Sequence, residues 1–210
     1  MSMDGKYILG ISLGLALMFA LILTFGLVFF FVRKNSKQRE LQEKENLQAL
    51  QDTLSTYAKS NNSLLLKKAT YKYDKNKIFS SGPILISPFA LFVIYPFFAE
   101  GEVDGNCLER EWSHQFDNKK KIFPNPVLKN DLVIKHILNL IPQQVPIISL
   151  MLLIENNAKY DIYNLPDYLL LCKEDELFDS LNDAKNELEA VLDNEAIIKI
   201  SDTLKKFQQK

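Results

Sequence analysis

Five carboxylates lie close together in residues 100–111, enough to hold a metal ion. Carboxylate oxygens suit a hard cation such as Mg²⁺. An ion held there could polarise a phosphate and activate a water molecule for hydrolysis. The stretch is mostly polar and contains no long apolar strand to fix its geometry, so we expect a solvated loop without a metal. The five are Glu100, Glu102, Asp104, Glu109 and Glu111.

The chain has two cysteines, Cys107 and Cys172, and two histidines, His114 and His136. Two cysteines cannot form a disulfide framework or a four-ligand zinc site, and no Cys/His cluster has metal-ligand spacing. We predict two buried free thiols, with one disulfide as the alternative, and no catalytic dyad from Cys107 and His114. His136 lies in an apolar segment and is predicted to be a hydrogen-bonded interior or boundary residue.

Other catalytic motifs are absent from the sequence. It contains neither a glycine-rich phosphate loop nor a Gly-x-Ser-x-Gly elbow. We therefore expect no cofactor.

Residues 67–77 are basic, with Tyr71 and Tyr73 interleaved among the lysines. This alternation is typical of an exposed or edge strand, which is the interpretation we favour. The alternative is contact with phosphates, either of nucleic acid or of anionic lipid. The candidate lysines are Lys67, Lys68, Lys72, Lys75 and Lys77.

The overall charge is nearly balanced, with 25 Lys and Arg against 26 Asp and Glu and a net charge of −1. That balance excludes a globally basic nucleic-acid-binding protein and a globally acidic chelator. Apolar residues make up 47% of the chain. A large share of them lies in one N-terminal block, so the remainder is a moderately polar domain.

The first half of that domain is predicted to be rich in strands. Residues 83–87 and 90–98 are short apolar runs and indicate two buried antiparallel strands joined by a tight connection. Residues 100–105 are typical of a turn, a short strand and another turn. Trp112 follows in a charged stretch.

The second half combines helices and strands. Asn125 and Pro126 form a good helix start, because Asn caps and Pro fits the first helical position. A helix over 128–141 follows, and then strands over 146–154 and 168–172. An amphipathic helix is predicted over 173–192 and a final helix over 195–207. The predicted buried side of the amphipathic helix consists of Leu177, Leu181, Leu188 and Leu192.

This order predicts an α/β fold, with an α+β mixed sheet and flanking helices. The most distinctive sequence segments are Ile-Leu-Ile-Ser-Pro at 84–88, Leu-Phe-Val-Ile at 91–94, Gly-Glu-Val-Asp-Gly at 101–105, Trp112 and Asn125-Pro126. Together they resemble the NERD (nuclease-related) domain, a relative of the restriction-endonuclease-like fold. The resemblance covers residues 64–210.

The resemblance implies a metal site made by an Asp at the start of one hairpin strand and a Glu-x-Lys on the next. Two carboxylates would hold the divalent cation against the phosphate, and the Lys would help to orient or activate water. On the matching strands, these positions are Gly82, Tyr95 and Phe97. None of the three can do this chemistry, so the resemblance implies a domain that has lost its metal site.

An acidic residue two positions before a lysine occurs elsewhere in the chain. None of these triplets lies on a predicted apolar strand, so none is predicted to be catalytic. The three are Asp4 with Lys6, Asp117 with Lys119 and Asp183 with Lys185.

Residues 8–32 contain no charged side chain. At about 1.5 Å per residue, a helix over this range is roughly 37 Å long and can cross a hydrocarbon core with some tilt. A cleavable signal peptide would have a positive leader and an apolar core of roughly 7–15 residues. Here Asp4 offsets Lys6 and the apolar run is longer. We predict a retained transmembrane helix after a short extracytoplasmic tail, residues 1–7.

The flanking charges predict the orientation of this helix. Four basic residues follow it, Arg33, Lys34, Lys37 and Arg39, whereas only Lys6 precedes it. The positive-inside bias therefore predicts a single-pass protein of the cell membrane with its N-terminus outside and its C-terminal domain in the cytoplasm.

Gly10 and Gly14 form a pair of small residues that could pack against another membrane helix. The alternative is that glycine is simply common in membrane helices.

Residues 33–63 are predicted to form a polar juxtamembrane helix. Its apolar side chains follow a helical spacing and form one stripe, which we expect to dock on the following domain or on a partner. The stripe consists of Leu47, Leu50, Leu54 and Tyr57.

Three functions fit the sequence. The favoured one is a membrane-anchored scaffold or accessory subunit, built on a catalytically empty NERD-like domain, with the lipid bilayer and other protein subunits as partners. The second is a metal-dependent nuclease with a rearranged site at Glu100, Glu102 or Asp104. The third is non-catalytic binding of nucleic acid through residues 67–77 and 119–121, with an affinity that falls steeply with salt.

Overall fold

A long helix, α1 (Gly5–Ser60), begins the chain in the computed structural model. The structure describes residues 5–74, 77–99, 101–117, 119–141, 145–154 and 158–209. Contacts divide the chain into two compact units, Met1–Asn46 and Leu47–Lys210.

The second unit contains eleven strands and three further helices among its described residues. The strands are β1 (Leu64–Leu66), β2 (Ala69–Tyr73), β3 (Lys77–Ser81), β4 (Ile84–Ile86), β5 (Leu91–Phe97), β6 (Glu102–Asn106), β7 (Glu111–Phe116), β8 (Lys119–Pro124), β9 (Ile147–Leu153), β10 (Lys159–Tyr163) and β11 (Leu169–Lys173). The helices are α2 (Pro126–Leu138), α3 (Leu177–Glu187) and α4 (Asn194–Phe207).

The central sheet has five strands in the order β1-β4-β5-β9-β11. Strand β4 is antiparallel to both of its neighbours, whereas β5, β9 and β11 are parallel. The C-terminal part of α1 and helix α3 cover one face, and α2 and α4 cover the other. The predicted α/β class, a mixed sheet with flanking helices, is confirmed.

Two smaller sheets complete the unit. One is a four-stranded sheet in the order β10-β6-β7-β8, and the other is the hairpin β2-β3. Strands β7, β8 and β10 were not predicted, because their exposed positions carry Lys, Glu and Gln rather than an apolar run. Trp112, expected only in a charged stretch, is a buried residue of β7. Gly105 faces its indole so closely that a Cβ there would overlap the ring.

The predicted hairpin of the central sheet is confirmed as β4 and β5. All three side chains of β4 and the first four of β5 are buried, which explains their unbroken apolar sequence. Ser87 closes the connection between the strands. Its Oγ donates to the Ala90 carbonyl oxygen at 2.7 Å and accepts from the Ala90 N–H at 3.1 Å.

The predicted start of α2 is confirmed. The Asn125 side chain caps the helix by accepting from the Val127 N–H at 2.8 Å, and Pro126 is its first residue. The helix ends at Leu138, three residues before the predicted end at 141.

Helix α3 is shorter at both ends than the predicted helix over 173–192. Leu177 and Leu181 are buried as expected, but Leu188 lies beyond the last turn and is 37% exposed. Leu192 is buried in an extended segment, where its N–H donates to the Pro88 carbonyl oxygen at 2.8 Å. The leucine spacing of a helix continues through residues 188–192, but these residues are extended because they connect α3 to α4.

The juxtamembrane stripe belongs to the domain itself. Leu50 and Leu54 are fully buried and Tyr57 is 5% exposed, all in the apolar cluster shared with α3, while Leu47 is half-buried. Of the two alternatives, docking on the domain is the one that holds. Leu50, Leu54 and Tyr57 are therefore not available as partner contacts, and the compact unit begins at Leu47 rather than at residue 64.

The basic segment forms β2, the turn after it and the start of β3. Tyr71 is buried and Tyr73 half-buried, whereas the described lysines of the segment are exposed, as an exposed strand requires. These lysines are Lys67, Lys68, Lys72 and Lys77. Lys75 lies outside the described residues.

Within the part of the chain that the structure describes, no helix combines the length and apolar character needed to cross a membrane. Gly10 and Gly14, the predicted packing pair, belong to α1. They are outside the residues whose surroundings the structure describes.

The burial of the stripe predicts its contribution to stability. Leu54→Ala should lower the free energy of unfolding by about 2–5 kcal/mol, because it leaves a cavity in a closed core. Leu41→Ala, at a position 59% exposed in the same helix, is the control and should change it little. Chemical denaturation of both variants measures the difference, and equal stabilities would contradict the core assignment.

Candidate functional site

The candidate site lies where β4 begins and β5 ends. Gly82 lies two residues before β4, against the backbone of Ile94 and the ring of Pro96. A Cβ built on Gly82 would overlap the Ile94 carbonyl oxygen. The position that the resemblance assigns to an Asp therefore has no room for a side chain. The hairpin does bring Gly82 close to the strand that carries Tyr95.

Phe97 fills the other side of the candidate site. It is 8% exposed, and its ring lies 6.2 Å from Trp112, 5.8 Å from Phe123 and 6.2 Å from Tyr160 between centroids. Tyr95 packs against the same cluster, so the prediction that Tyr95 and Phe97 face one side of the strand is confirmed. The Lys129 Nζ lies 5.7 Å from the centroid of the Tyr95 ring, close enough for a cation–π contact.

The nearby acids do not converge on this point. Glu102 and Asp104 are exposed residues of β6, and the Glu102 Oε1 lies 3.2 Å from the Lys159 Nζ. Glu109 and Glu111 are also exposed, so the acidic stretch is solvated as expected, although a strand forms part of it. Glu100 lies outside the described residues. Among the residues that the structure does describe, no group of three His, Cys, Asp or Glu could hold a metal ion.

The acidic residues of the acid-x-Lys triplets do not converge on this site either. Asp117 is exposed in the turn before β8, and Asp183 is exposed on α3. Asp4 lies outside the described residues.

Both cysteines are free and buried, as predicted. Burial raises the pKa of Cys172 to about 11, and burial together with the nearby Asp131 charge raises the pKa of Cys107. A thiol with a raised pKa remains protonated near neutral pH and is a poor nucleophile. His114 stacks on Phe116 in β7, with ring centroids 6.4 Å apart.

The prediction for His136 is also confirmed. Its Nδ1 lies 2.7 Å from the Tyr73 hydroxyl oxygen, and its ring stacks on Phe79 with centroids 4.9 Å apart. These contacts attach the β2-β3 hairpin to α2 and give the histidine a structural position.

Two buried asparagines hydrogen-bond to the elements around the candidate site. The sequence predicted only the capping role of Asn125 and no role for Asn130. Besides capping α2, Asn125 donates from Nδ2 to the carbonyl oxygens of Cys107 at 3.1 Å and Glu109 at 2.7 Å. Asn130 donates to the Val93 carbonyl oxygen at 3.0 Å and contacts the Ser149 Oγ at 2.9 Å. The position of Asn130 inside an apolar helical segment could have indicated this role, because a buried amide needs hydrogen-bond partners.

One hollow of about 460 Å³ lies between α2 and the starts of β9 and β11. Its lining is mainly apolar, and its polar groups include Asp131, whose Oδ2 accepts from the Tyr168 hydroxyl at 2.8 Å. Burial and this hydrogen bond raise the pKa of Tyr168 to about 12.

A scan against protein-family models, a search of curated proteins and a search of solved structures each found no match to this chain.

The aromatic packing predicts a large cost for truncating Phe97. Phe97→Ala should lower the free energy of unfolding by about 3–5 kcal/mol, as for other core phenylalanines. Ile122→Ala, on the neighbouring sheet at a position 67% exposed, is the control and should have little effect. Thermal or urea unfolding distinguishes the two, and a tolerated Phe97→Ala would mean that the site is open.

Proposed function

We propose that this protein is a membrane-anchored, non-catalytic NERD-like domain that serves as a scaffold or accessory subunit of a membrane-associated protein complex. The observation that carries the proposal is the aromatic packing at the position of the family's metal site. A mixed sheet with an antiparallel hairpin supports the likeness to the restriction-endonuclease-like fold.

The packing supports the absence of nuclease chemistry for a physical reason. Two carboxylates and a cation require a hydrated cleft, because a charge transferred into an apolar interior without partners is strongly destabilised. Here Gly82 cannot carry an acid without displacing Ile94, and Phe97 lies within a cluster of rings. Aromatic side chains occupy the space in which the cation and its water would lie.

The sequence supports the membrane anchor. Residues 8–32 lack charge, and helix α1 runs through them. Large apolar side chains described in this range, including Met18, Phe25 and Phe29, are between 58% and 74% exposed. Exposed apolar surface of this extent is costly in water and is covered at no such cost by lipid.

The proposed orientation follows from Arg33, Lys34, Lys37 and Arg39, which favour a cytoplasmic C-terminal side. The scaffold would therefore present its domain at the cytoplasmic face. Affinity purification from detergent-solubilised membranes identifies the protein subunits that it holds.

Metal dependence tests the central claim. We expect Mg²⁺ or Mn²⁺ to leave the melting temperature of the detergent-solubilised full chain unchanged, because a ligand stabilises only a protein that binds it. We also expect no cleavage of single- or double-stranded DNA or RNA. Glu102→Ala is the control. Divalent-dependent cleavage that this variant loses would support the rearranged nuclease instead.

Protease accessibility tests the orientation. We expect a protease added to intact cells or protoplasts to spare residues 33–210, and to digest them once the membrane is permeabilised. Digestion of the domain from outside the intact membrane would contradict the proposed topology.

A further inference from the structure

The four-stranded sheet has two faces, and the register of its strands assigns each residue to one of them. Successive residues of a strand point to opposite faces, whereas directly paired residues of neighbouring strands share a face. We call the face that carries Val103 and Trp112 the inner face, because both residues pack in the cluster with Phe97. The opposite face is the outer face.

Charged side chains are divided unequally between the two faces. At the positions of β6, β7, β8 and β10, the inner face carries two lysines, Lys119 and Lys121, and no acidic residue. The turn between β7 and β8 adds one exposed acid, Asp117, against three lysines at 119–121. Among the described residues, this end of the inner face therefore has an excess of positive charge. The outer face carries both signs, with Glu102, Asp104, Glu111, Lys120, Lys159 and Asp161.

Two aromatic rings lie beside the lysines of the inner face. His114 pairs with Lys121, and Phe116 pairs with Lys119, across β7 and β8. The two rings are nearly parallel, at 10°, with centroids 6.4 Å apart. Phe116 is 39% exposed, both lysines are exposed, and neither ring belongs to the apolar cluster around Phe97. The inner face thus continues past the core as an accessible strip of two rings and two lysines, which we call the strip.

The Phe116 ring is confined by its neighbours. Gly101 lies so close that a Cβ built there would be 3.2 Å from the Phe116 Cδ2. His114 packs on the ring from two residues along the strand. A ring confined in this way loses little further conformational freedom when a flat ligand stacks on its exposed part.

A ring beside a lysine, in each of two rows of the strip, suits a single-stranded nucleic acid. Its unpaired bases offer flat faces that stack on aromatic side chains, and its phosphates interact with lysine ammonium groups. A duplex keeps its bases inside the stack. An acidic peptide offers negative charge without a base beside it. The chemistry of the strip therefore favours the single strand over both.

We infer that the strip binds a short segment of single-stranded nucleic acid, with a base stacked on Phe116 and backbone phosphates beside Lys119 and Lys121. This binding site adds a ligand to the proposed scaffold and is independent of the membrane anchor. It involves no cleavage and no metal ion.

Fluorescence anisotropy measures this binding on the full chain in mild detergent. The probe is a labelled oligothymidylate of about twelve nucleotides, with EDTA present to exclude metal-dependent cleavage. We expect saturable binding whose affinity falls as the salt concentration rises, because the lysines displace counterions from the phosphates.

Variants of the ring and of the lysines assign the binding to the strip. Phe116→Leu keeps an apolar side chain without a ring and should weaken binding by at least about five-fold, whereas Phe116→Tyr should retain it. Lys119→Gln and Lys121→Gln should each reduce the slope of log affinity against log salt concentration by about 0.7. Lys120→Gln removes the same charge from the outer face of the same strand, so it is the matched control and should leave the slope unchanged.

Several results would overturn the inference. They are an absence of saturable binding, an unchanged affinity in a folded Phe116→Leu variant, and an equal change of slope in Lys120→Gln. Equal affinity for an abasic oligonucleotide of the same length would mean that the strip attracts anions only. Equal or tighter binding of duplex DNA or of polyglutamate would assign it to another partner. Melting temperatures check that each variant is folded, and the lysine variants decide the test alone if Phe116→Leu is not.

Discussion

Burial of β5 on both faces is the constraint on which the rest of the domain depends. Phe92 and Ile94 pack into the cluster formed with α1 and α3, and Val93 packs into the cluster formed with α2 and α4. Further along, Tyr95 and Phe97 reach the third cluster, beneath the four-stranded sheet. One strand therefore supplies all three clusters, and each position from Leu91 to Ile94 must be apolar, because an unpaired charge there would lose its water.

The same constraint governs the end of β5, where the resemblance to the NERD domain would place catalytic positions at Tyr95 and Phe97. A catalytic strand has to leave the apolar core and enter a hydrated cleft, whereas this one passes from one apolar cluster into the next. Trp112, which packs against Gly105 within the four-stranded sheet, contacts Phe97 edge-on with ring centroids 6.2 Å apart. The volume beside the end of β5 is therefore occupied by packed side chains.

Sequence patterns predicted the features that depend on neighbouring residues. The apolar runs of β4, β5 and β9 identify strands because both faces are buried, and Asn125 identifies the start of α2 because capping is local. The buried free thiols followed from the small number of cysteines.

Features that depend on distant partners could not be predicted in this way. Leu188 continues the helical period of α3, yet the helix ends there, and the N–H groups of Val191 and Leu192 donate to the Pro88 carbonyl oxygen. Strand β10 pairs with β6 through a parallel register that no local pattern encodes. The antiparallel bridge between Gln208 and Tyr71 is another case, because its two residues are far apart in the sequence.

Helix α1 shows that the core includes residues before 64, where the domain was predicted to begin. Its sequence after residue 33 is polar and predicts a juxtamembrane helix, and Leu50, Leu54 and Tyr57 on that helix complete the cluster on one face of the central sheet. Each buried leucine contributes roughly 2–5 kcal/mol by the cost of truncation, against about 5–15 kcal/mol for a whole domain. A domain defined from residue 64 would thus lack side chains worth a large part of its stability. The part of α1 after Leu47 is therefore an integral element of the second unit's core.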